Sequence, residues 1–466
     1  MPVSPPRCVS VVLAAVATAA ASLLVAVPAA ASPDDIAAFG ISQPTVVTIR
    51  GTGDITTELA KAVGTAATAD RPRLVELPAG QFKVKSVISV KNHVYLSAQP
   101  GTLVTWTGGS GQMLWFNSVT SGVSGGVWDG AKRSTANVFA VKAGVLKLEN
   151  LTLRNAGKNG VAAYGGSKLT VRTVTATGNK KDGVYLEASV LDAVGLKAIK
   201  NRRNGLQMSG RSTGAISSSQ LDGNGTAVTG STTGKTGHGL GVASSQLSVS
   251  NSTMSSNRVC GVSLTGSAQV TISDSRLNSN RRHGLGTTAG SKATLVDTTV
   301  ASNRYNGVLA SGSGTRVDLN RVTITGSTKH GLSVPTRGTA TITATSISGS
   351  GKVNASVSSK GRLTILAGNT ISKARSHGIA VSSKGTLTIS GEGNLVQSNR
   401  GNGLLVSKKG TAARISQPVR FVSNKKNAIL VNSKAKLSMV ACSYSGNGGK
   451  TRAAKSGGMI TTITVS

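Results

Sequence analysis

The stretch Asn179-Lys180-Lys181-Asp182-Gly183-Val184-Tyr185-Leu186 decides how the chain is read, because it returns as Asn201-Arg202-Arg203-Asn204-Gly205-Leu206-Gln207-Met208. The phrase is Asn, basic residues, one polar residue, then Gly and alternating apolar residues. It comes again as Asn257-Arg258-Val259-Cys260-Gly261, Asn280-Arg281-Arg282-His283-Gly284 and Asn303-Arg304-Tyr305-Asn306-Gly307. Shorter forms follow at Lys329-His330-Gly331, His377-Gly378, Asn402-Gly403 and Asn427-Ala428. Anchored on its small residue, the phrase falls at 160, 183, 205, 239, 261, 284, 307, 331, 355, 378, 403 and 428. Most steps are 22 to 25 residues; the step of 34 from 205 to 239 carries an insertion over Asn224 to Lys235. A fixed period in this range means a solenoid.

Within a repeat, Val, Ile, Leu and Thr alternate with period two, and no helix-length 3.6-residue pattern appears. A leucine-rich repeat needs a Leu lattice that is missing here. Each coil therefore holds about three short strands, and stacked coils make parallel sheets around an apolar interior. Positions one and three after the anchor point inward and position two points out. The Asn four residues before the anchor (Asn179, Asn201, Asn257, Asn280, Asn303, Asn399, Asn424) is expected to stack on its own kind and satisfy turn groups. A second polar row, Asn150, Asn251, Asp274 and Asp297, reads as a turn ladder, with a cation site between the two Asp residues as the alternative.

These repeats resemble the right-handed parallel β-helix of the pectate lyase-like superfamily. The resemblance runs from about Thr45 to Ser466, and it implies an N-terminal capping helix. Asp54 to Ala69 suits that helix, with Asp54 as N-cap and Ile55, Leu59 and Val63 on its apolar side. Val75-Glu76-Leu77-Pro78-Ala79-Gly80-Gln81-Phe82 then resembles a first coil. The expected fold is all-β: a solenoid of about 22–25 residues per coil over 54–466, after a signal peptide (1–31) and a lead-in (32–53).

Composition agrees. The 466 residues carry 52 Lys+Arg against 16 Asp+Glu, a net charge of +36 with a pI near 11.0, and only 3% aromatics. At 38% apolar the chain is not of disordered composition, and its 58 Gly follow no Gly-X-Y triplet, which excludes collagen. Arg7, the apolar run Val11 to Val27 and Pro28-Ala29-Ala30-Ala31 read as a secretory signal with cleavage after Ala31; a retained anchor is the alternative. No later apolar run reaches 18 residues, so the mature chain has no predicted span. Cys260 and Cys442 lie 182 residues apart, about eight coils. At about 4.8 Å per coil that is roughly 38 Å, far beyond disulfide reach, so two free thiols are expected.

The basic residues gather just before the anchor: Lys158, Lys180, Lys181, Arg202, Arg203, Arg258, Arg281, Arg282, Arg304, Lys329, Lys352, Arg375, Arg400, Lys425 and Lys426. One residue class at one phase of a solenoid makes a stripe along it. Such a row repels itself, so either it is a solvated solubility face or a long anionic partner lies on it. The second reading gives a secreted protein, extracellular or associated with the cell envelope, that binds an acidic polysaccharide or cell-wall polymer as a monomer. Lys180, Lys181, Arg202, Asn204, Gln207, Arg258, Arg281, Arg282 and Arg304 are its candidate binding residues. Nucleic acid fits less well, because Trp106, Trp115 and Trp128 lie in the first coils, away from the stripe.

The superfamily resemblance also implies a catalytic groove around the Gly-led strand. Chemistry concentrates there between 179 and 242, where Asp182, Tyr185, Arg203, Asn204 and His238 fall on successive coils. Polygalacturonases show Asp, then an Asp pair, then Gly-His-Gly at this phase. Asp182 and Gly237-His238-Gly239 are similar, but Arg203-Asn204 stands where two carboxylates are needed, so an inverting hydrolase is not expected. The Asp-Pro-His-Asp motif of alginate epimerases is absent, and few acids are present to hold calcium, so no cofactor is expected. What the resemblance leaves is a metal-independent lyase or C5-epimerase on uronate polymers. Its base or acid would be Tyr185 or His238, with Asp182 beside them and Arg203 and Lys181 neutralising the substrate carboxylate. Against this, His238, His283, His330 and His377 share one phase, four of the five His, which suits a turn ladder. The row His238, Cys260 and His283 is also the one place with soft metal ligands, and its cationic neighbours disfavour a metal.

Overall fold

The computed structural model describes residues 39–133, 136–226 and 236–463. The signal peptide assigned to 1–31 and most of the insertion before Gly237 lie outside them. The described chain is a parallel β-solenoid. Its sheets have 23, 16 and 7 strands, and the 16-stranded one takes one strand from each coil. Register runs coil to coil without slippage along that sheet: Val184 on Leu206, Leu206 on Leu240, Leu240 on Val262, Val262 on Leu285. The alternation predicted the inward residues. Val184, Leu186, Leu206, Met208, Leu240, Val242, Val262 and Leu264 are all buried, and so is their counterpart across the core.

Strand pairing already starts at Thr45–Thr48, which lies parallel to Arg73–Glu76, inside the segment read as a lead-in. The capping helix α1 is shorter than the sequence suggests, Thr56–Val63. Its N-cap position is Ile55, not the expected Asp54, and Ile55 makes no side-chain cap bond; Asp54, one residue earlier, accepts from the Thr56 amide at 3.0 Å and hydroxyl at 2.6 Å. Gly64 ends it, and Leu59, Ala62 and Val63 face the first coils. Those coils hold an aromatic core, with Trp128 and Phe116 both edge-on to Phe139 at 5.1 and 6.2 Å.

The polar row ten residues before the anchor is a turn ladder. Asn150, Asn251, Asp274 and Asp297 all adopt left-handed φ between 47° and 50°. Asp297 pairs with Arg321 through two 2.7 Å contacts, which supplies the charge a cation would have supplied. Cys260 and Cys442 are free, Cys260 buried. Among the described residues no helix is long and apolar enough to cross a membrane.

Candidate functional site

The turn before the anchor is fixed by the buried Asn row. The backbone and side-chain N–H of Asn179 both donate to Oδ1 of Asn201, at 3.2 and 2.9 Å. Asn201 repeats this on Asn224, Asn224 on Asn257, Asn257 on Asn280 and Asn280 on Asn303. The sequence reading missed Asn224, which carries the row past the insertion. It also missed Asn354, which reaches Asn399 Oδ1 at 3.3 Å where Ser327 and Ser350 replace Asn. An amide buried without a partner costs about 1–3 kcal/mol, so the row holds only while each member finds the next.

The residue after each of these Asn is held by its own cross-coil bond. Arg202 N–H donates to the Asn179 carbonyl at 2.9 Å, Arg281 to Asn257 at 3.0 Å and Arg304 to Asn280 at 2.9 Å. The chain therefore delivers a cation at the same phase in most coils, with Gly225, Thr328, Gly351 and Gly448 making the same bond where the row is interrupted. Lys181, Arg202, Arg281 and Arg304 are exposed, while Lys180, Arg203, Arg258 and Arg282 are half-buried. The ion pairs at Asp54, Asp129, Asp192, Asp297 and Asp318 lie on other parts of the coil. Tyr305 adds one exposed ring to the turn, with Lys329 Nζ 3.6 Å above its centre.

The row just before the anchor departs from expectation. The sequence places it on an outward groove, but Asp182 is 1% exposed, Asn204 0%, His238 5%, Cys260 4% and His283 3%. The reason is a second ladder. Asp182 N–H donates to Asn159 Oδ1, Asn204 N–H to Asp182 Oδ1 at 2.9 Å, and Gly237 and His238 N–H to Asn204 Oδ1. Cys260 N–H then donates to His238 Nδ1 at 3.3 Å. Here the later coil donates to the earlier one, the reverse of the Asn row. Asp182, Asn204 and His238 are thus joined by backbone bonds. Burial pushes the Asp182 carboxyl above its ordinary pKa, against the pull of Arg203 and Lys181. Tyr185 stays half-exposed on the sheet and its hydroxyl donates to Glu187 at 3.2 Å, with Ser209 at 3.4 Å.

His283 is the exception in the row. His377 accepts from Asn402 N–H, and His330 bonds the Val353 carbonyl. Among the described residues neither ring nitrogen of His283 has a hydrogen-bond partner. The Asn306 backbone is near without reaching bonding geometry, and the ring sits edge-on to Tyr305 at 5.2 Å. Burial and the Arg282 charge push its pKa down to about 3, so the ring is neutral.

His283 lines a cleft of about 460 Å³. Its origin lies in the outward row of the 16-stranded sheet, where Gln207, Gly241, Ser263, Gly286 and Leu309 are in register. Gly286 leaves a gap beside Ser263, while the space over Gly241 is taken by the Gln207 carboxamide, whose Oε1 would stand 2.3 Å from a Cβ there. Cys260, His238 and His283 lie below, and Arg282 is on the rim. Cys260 is no nucleophile at neutral pH, because burial pushes its thiol up to about 11. Among the described residues no three His, Cys, Asp or Glu side chains come close enough to hold a metal ion. The sequence reading passed over this cleft because it looked for side chains that carry chemistry. The signal was the missing side chain at Gly286, in the row of Ser263 and Leu309.

No curated protein matches the sequence. Among solved structures, a mannuronan C-5 epimerase A-module from Azotobacter vinelandii is similar at 14% identity, covering 92% of this chain and 99% of that one, with a TM-score of 0.38. A Geobacillus virus E2 protein is similar at 12% identity over 78% and 63%, with a TM-score of 0.36. The catalytic unit of a GH87 alpha-1,3-glucanase from Streptomyces thermodiastaticus is similar at 13% identity over 91% and 69%, with a TM-score of 0.29. The family described as right handed beta helix region matches residues 136–322 and 283–444. That match spans more than half of the chain, and the chain belongs to this β-helix family.

Proposed function

We propose that this protein is an extracellular β-helix that binds a linear polyanion, an acidic polysaccharide or cell-wall polymer, along its basic turn. One observation carries the reading: cross-coil bonds hold Lys180, Arg202, Arg258, Arg281, Arg304, Arg375, Arg400 and Lys425 at the same phase, with Arg202, Arg281 and Arg304 all exposed. Self-repulsion in such a row is relieved when counter-ions are traded for a polymer of matching charge. The binding needs no metal, so EDTA leaves it unchanged. The test is affinity for polyuronate and polyphosphate chains at rising NaCl, for wild type and for the triple variant Arg202→Gln, Arg281→Gln, Arg304→Gln. A steep salt slope that flattens in the variant supports the reading. Affinity that ignores both salt and the variant overturns it.

The second reading is elimination or epimerisation of a uronate at Tyr185, His238, Asp182 and Arg203. The half-exposed Tyr185 hydroxyl beside the basic turn favours it. The ladder bonds and burial of Asp182 and His238 weigh against it. Turnover of a polyuronate that disappears in Tyr185→Phe would support this second reading; its persistence would remove Tyr185 from the mechanism.

A further inference from the structure

Lys132, Lys180, Lys200 and Arg202 surround one concavity of about 370 Å³ at the start of the basic turn, with Asn155, Gly178 and Thr226 completing its lining. The space comes from the bend that precedes the Asn row. Asn155, Gly178 and Lys200 hold that bend in successive coils, each with left-handed φ. A Cβ on Gly178 would meet only Asn155, 3.1 Å from its Oδ1, so the missing side chain leaves the bend open between Asn155 and Lys200. Later coils place Ser256, Ser279 and Ser302 at this position, where Lys200 adds a cation to the two of the stripe. Among the described residues none of the four cations has an ion pair. The carboxylates of the adjoining turns are engaged elsewhere. Asp129 accepts from Arg154 Nε and the Asn155 amide, and Asp222 from the Thr253 hydroxyl and Ser255 N–H. The volume falls within the range of small-molecule sites, roughly 300–1,000 Å³.

Four like charges around one space repel. A single small anion relieves all four when it presents several acceptor oxygens, because charge-assisted hydrogen bonds are the strong ones. A carboxylate offers one charge and two oxygens. A phosphate monoester offers about 1.5 to 2 negative charges and three acceptor oxygens, which suits four donors better. We infer that this concavity binds a phosphate group, free or at the end of a chain, with Lys132, Lys180, Lys200 and Arg202 donating to its oxygens. Lys180 and Arg202 also belong to the stripe, whereas Lys132 and Lys200 belong to the site alone. The inference goes beyond the polyanion reading, since phosphate is held here with no polymer on the stripe.

Lys200 and Lys132 provide the test. Lys200→Ser copies Ser256, which a later coil carries in the same left-handed bend; Lys132→Gln keeps the length of the side chain and removes its charge. Binding of inorganic phosphate, glycerol 3-phosphate and glucuronate is measured by calorimetry and phosphorus NMR at low salt, beside the affinity for a polyuronate chain. Wild type is expected to bind one phosphate. Each variant should weaken it roughly tenfold or more, the worth of one hydrogen bond to a charged group, while keeping polyuronate affinity and thermal midpoint. Glycerol 3-phosphate bound at least as tightly as inorganic phosphate assigns the site to the end of a chain, and its rejection assigns the site to free phosphate. Phosphate affinity unchanged in both variants, or absent in wild type, overturns the site and leaves the stripe standing. Glucuronate bound as tightly as phosphate overturns the preference for a phosphate group. Polyuronate affinity lost in step with phosphate affinity overturns the site as separate from the stripe. Phosphate binding without polyuronate binding overturns the stripe and leaves the site.

Discussion

A Cβ on Gly183 would stand 2.8 Å from Nδ2 of Asn201 in the next coil and 2.7 Å from the Gly205 carbonyl oxygen. The anchor glycine and the Asn row therefore pack as one device: at Gly183 the amide of Asn201 lies close under a residue that has no side chain. Gly183→Ala should cost about 1–3 kcal/mol by overpacking. Asn201→Ala should cost a similar amount, since Asn179 and the Ala176 carbonyl lose their partner. Urea denaturation of each variant and of the double variant checks this. Both changes strike the same contact, so the double should cost less than the sum.

Asp182 occupies a ladder position filled by Asn in neighbouring coils, and its raised pKa means that burial disfavours the charge. Asp182→Asn keeps the acceptor for Asn204 N–H and removes that charge. We expect a gain of roughly 1 kcal/mol at pH 7. The folded pKa lies above the unfolded one, so the gain should vanish below pH 3.8, where wild-type Asp182 is neutral in both states. A variant less stable than wild type at pH 7 contradicts the account of the ladder.

Histidine burial acts at a different pH. His283 titrates near 3 when folded and at 6.5 in its ordinary state, and His330 and His377 are also lowered by burial. The unfolded chain takes up protons that the folded chain refuses, so stability falls as pH drops from about 6.5 toward 3. The slope is about 1.4 kcal/mol per pH unit for each fully refusing ring. Denaturation at pH 7, 5.5 and 4.5 should show this loss. His283→Asn should reduce it, and an unchanged slope would remove His283 from the account.

With a net charge of +36, much of it in one stripe, the folded rod repels itself. Its thermal midpoint should rise between low and physiological salt as the Debye length shrinks to about 8 Å. Neutralising Arg202, Arg281 and Arg304 should capture part of that rise at low salt. A midpoint that does not move with salt in either protein refutes the self-repulsion.

Two thiols should titrate in denatured, unreduced protein. In native protein Cys260 should react much more slowly than an ordinary thiol at pH 8, since burial holds it protonated. Fast reaction would mean that the floor of the cleft is open.

The solenoid was legible because its determinants are local and repeated. Gly183, Asn201 and the alternation at Val184 and Leu186 recur in each coil, so one repeat read correctly describes the next. The site was less legible. Position two after the anchor points outward as expected, yet the residue before the anchor turns inward, because the N–H groups of the following coil need its side chain. A two-residue periodicity gives no information on which flank of a turn bonds to the neighbouring coil. Nor does it show that Gly286, between Ser263 and Leu309 in register, opens a cleft on that face.

The two ladders run in opposite senses along the rod. In one, the earlier coil donates to the later; in the other, the later donates to the earlier. Where both ladders are continuous, as between the coils of Asn179, Asn201 and Asn224, a cut leaves the same complement of unmet groups on its two faces. Excising a complete coil, or adding one, would bring matching faces together again. Length is thus an adjustable property of this architecture, and the number of cations offered to a partner can lengthen or shorten with it, coil by coil, while the turn chemistry stays the same.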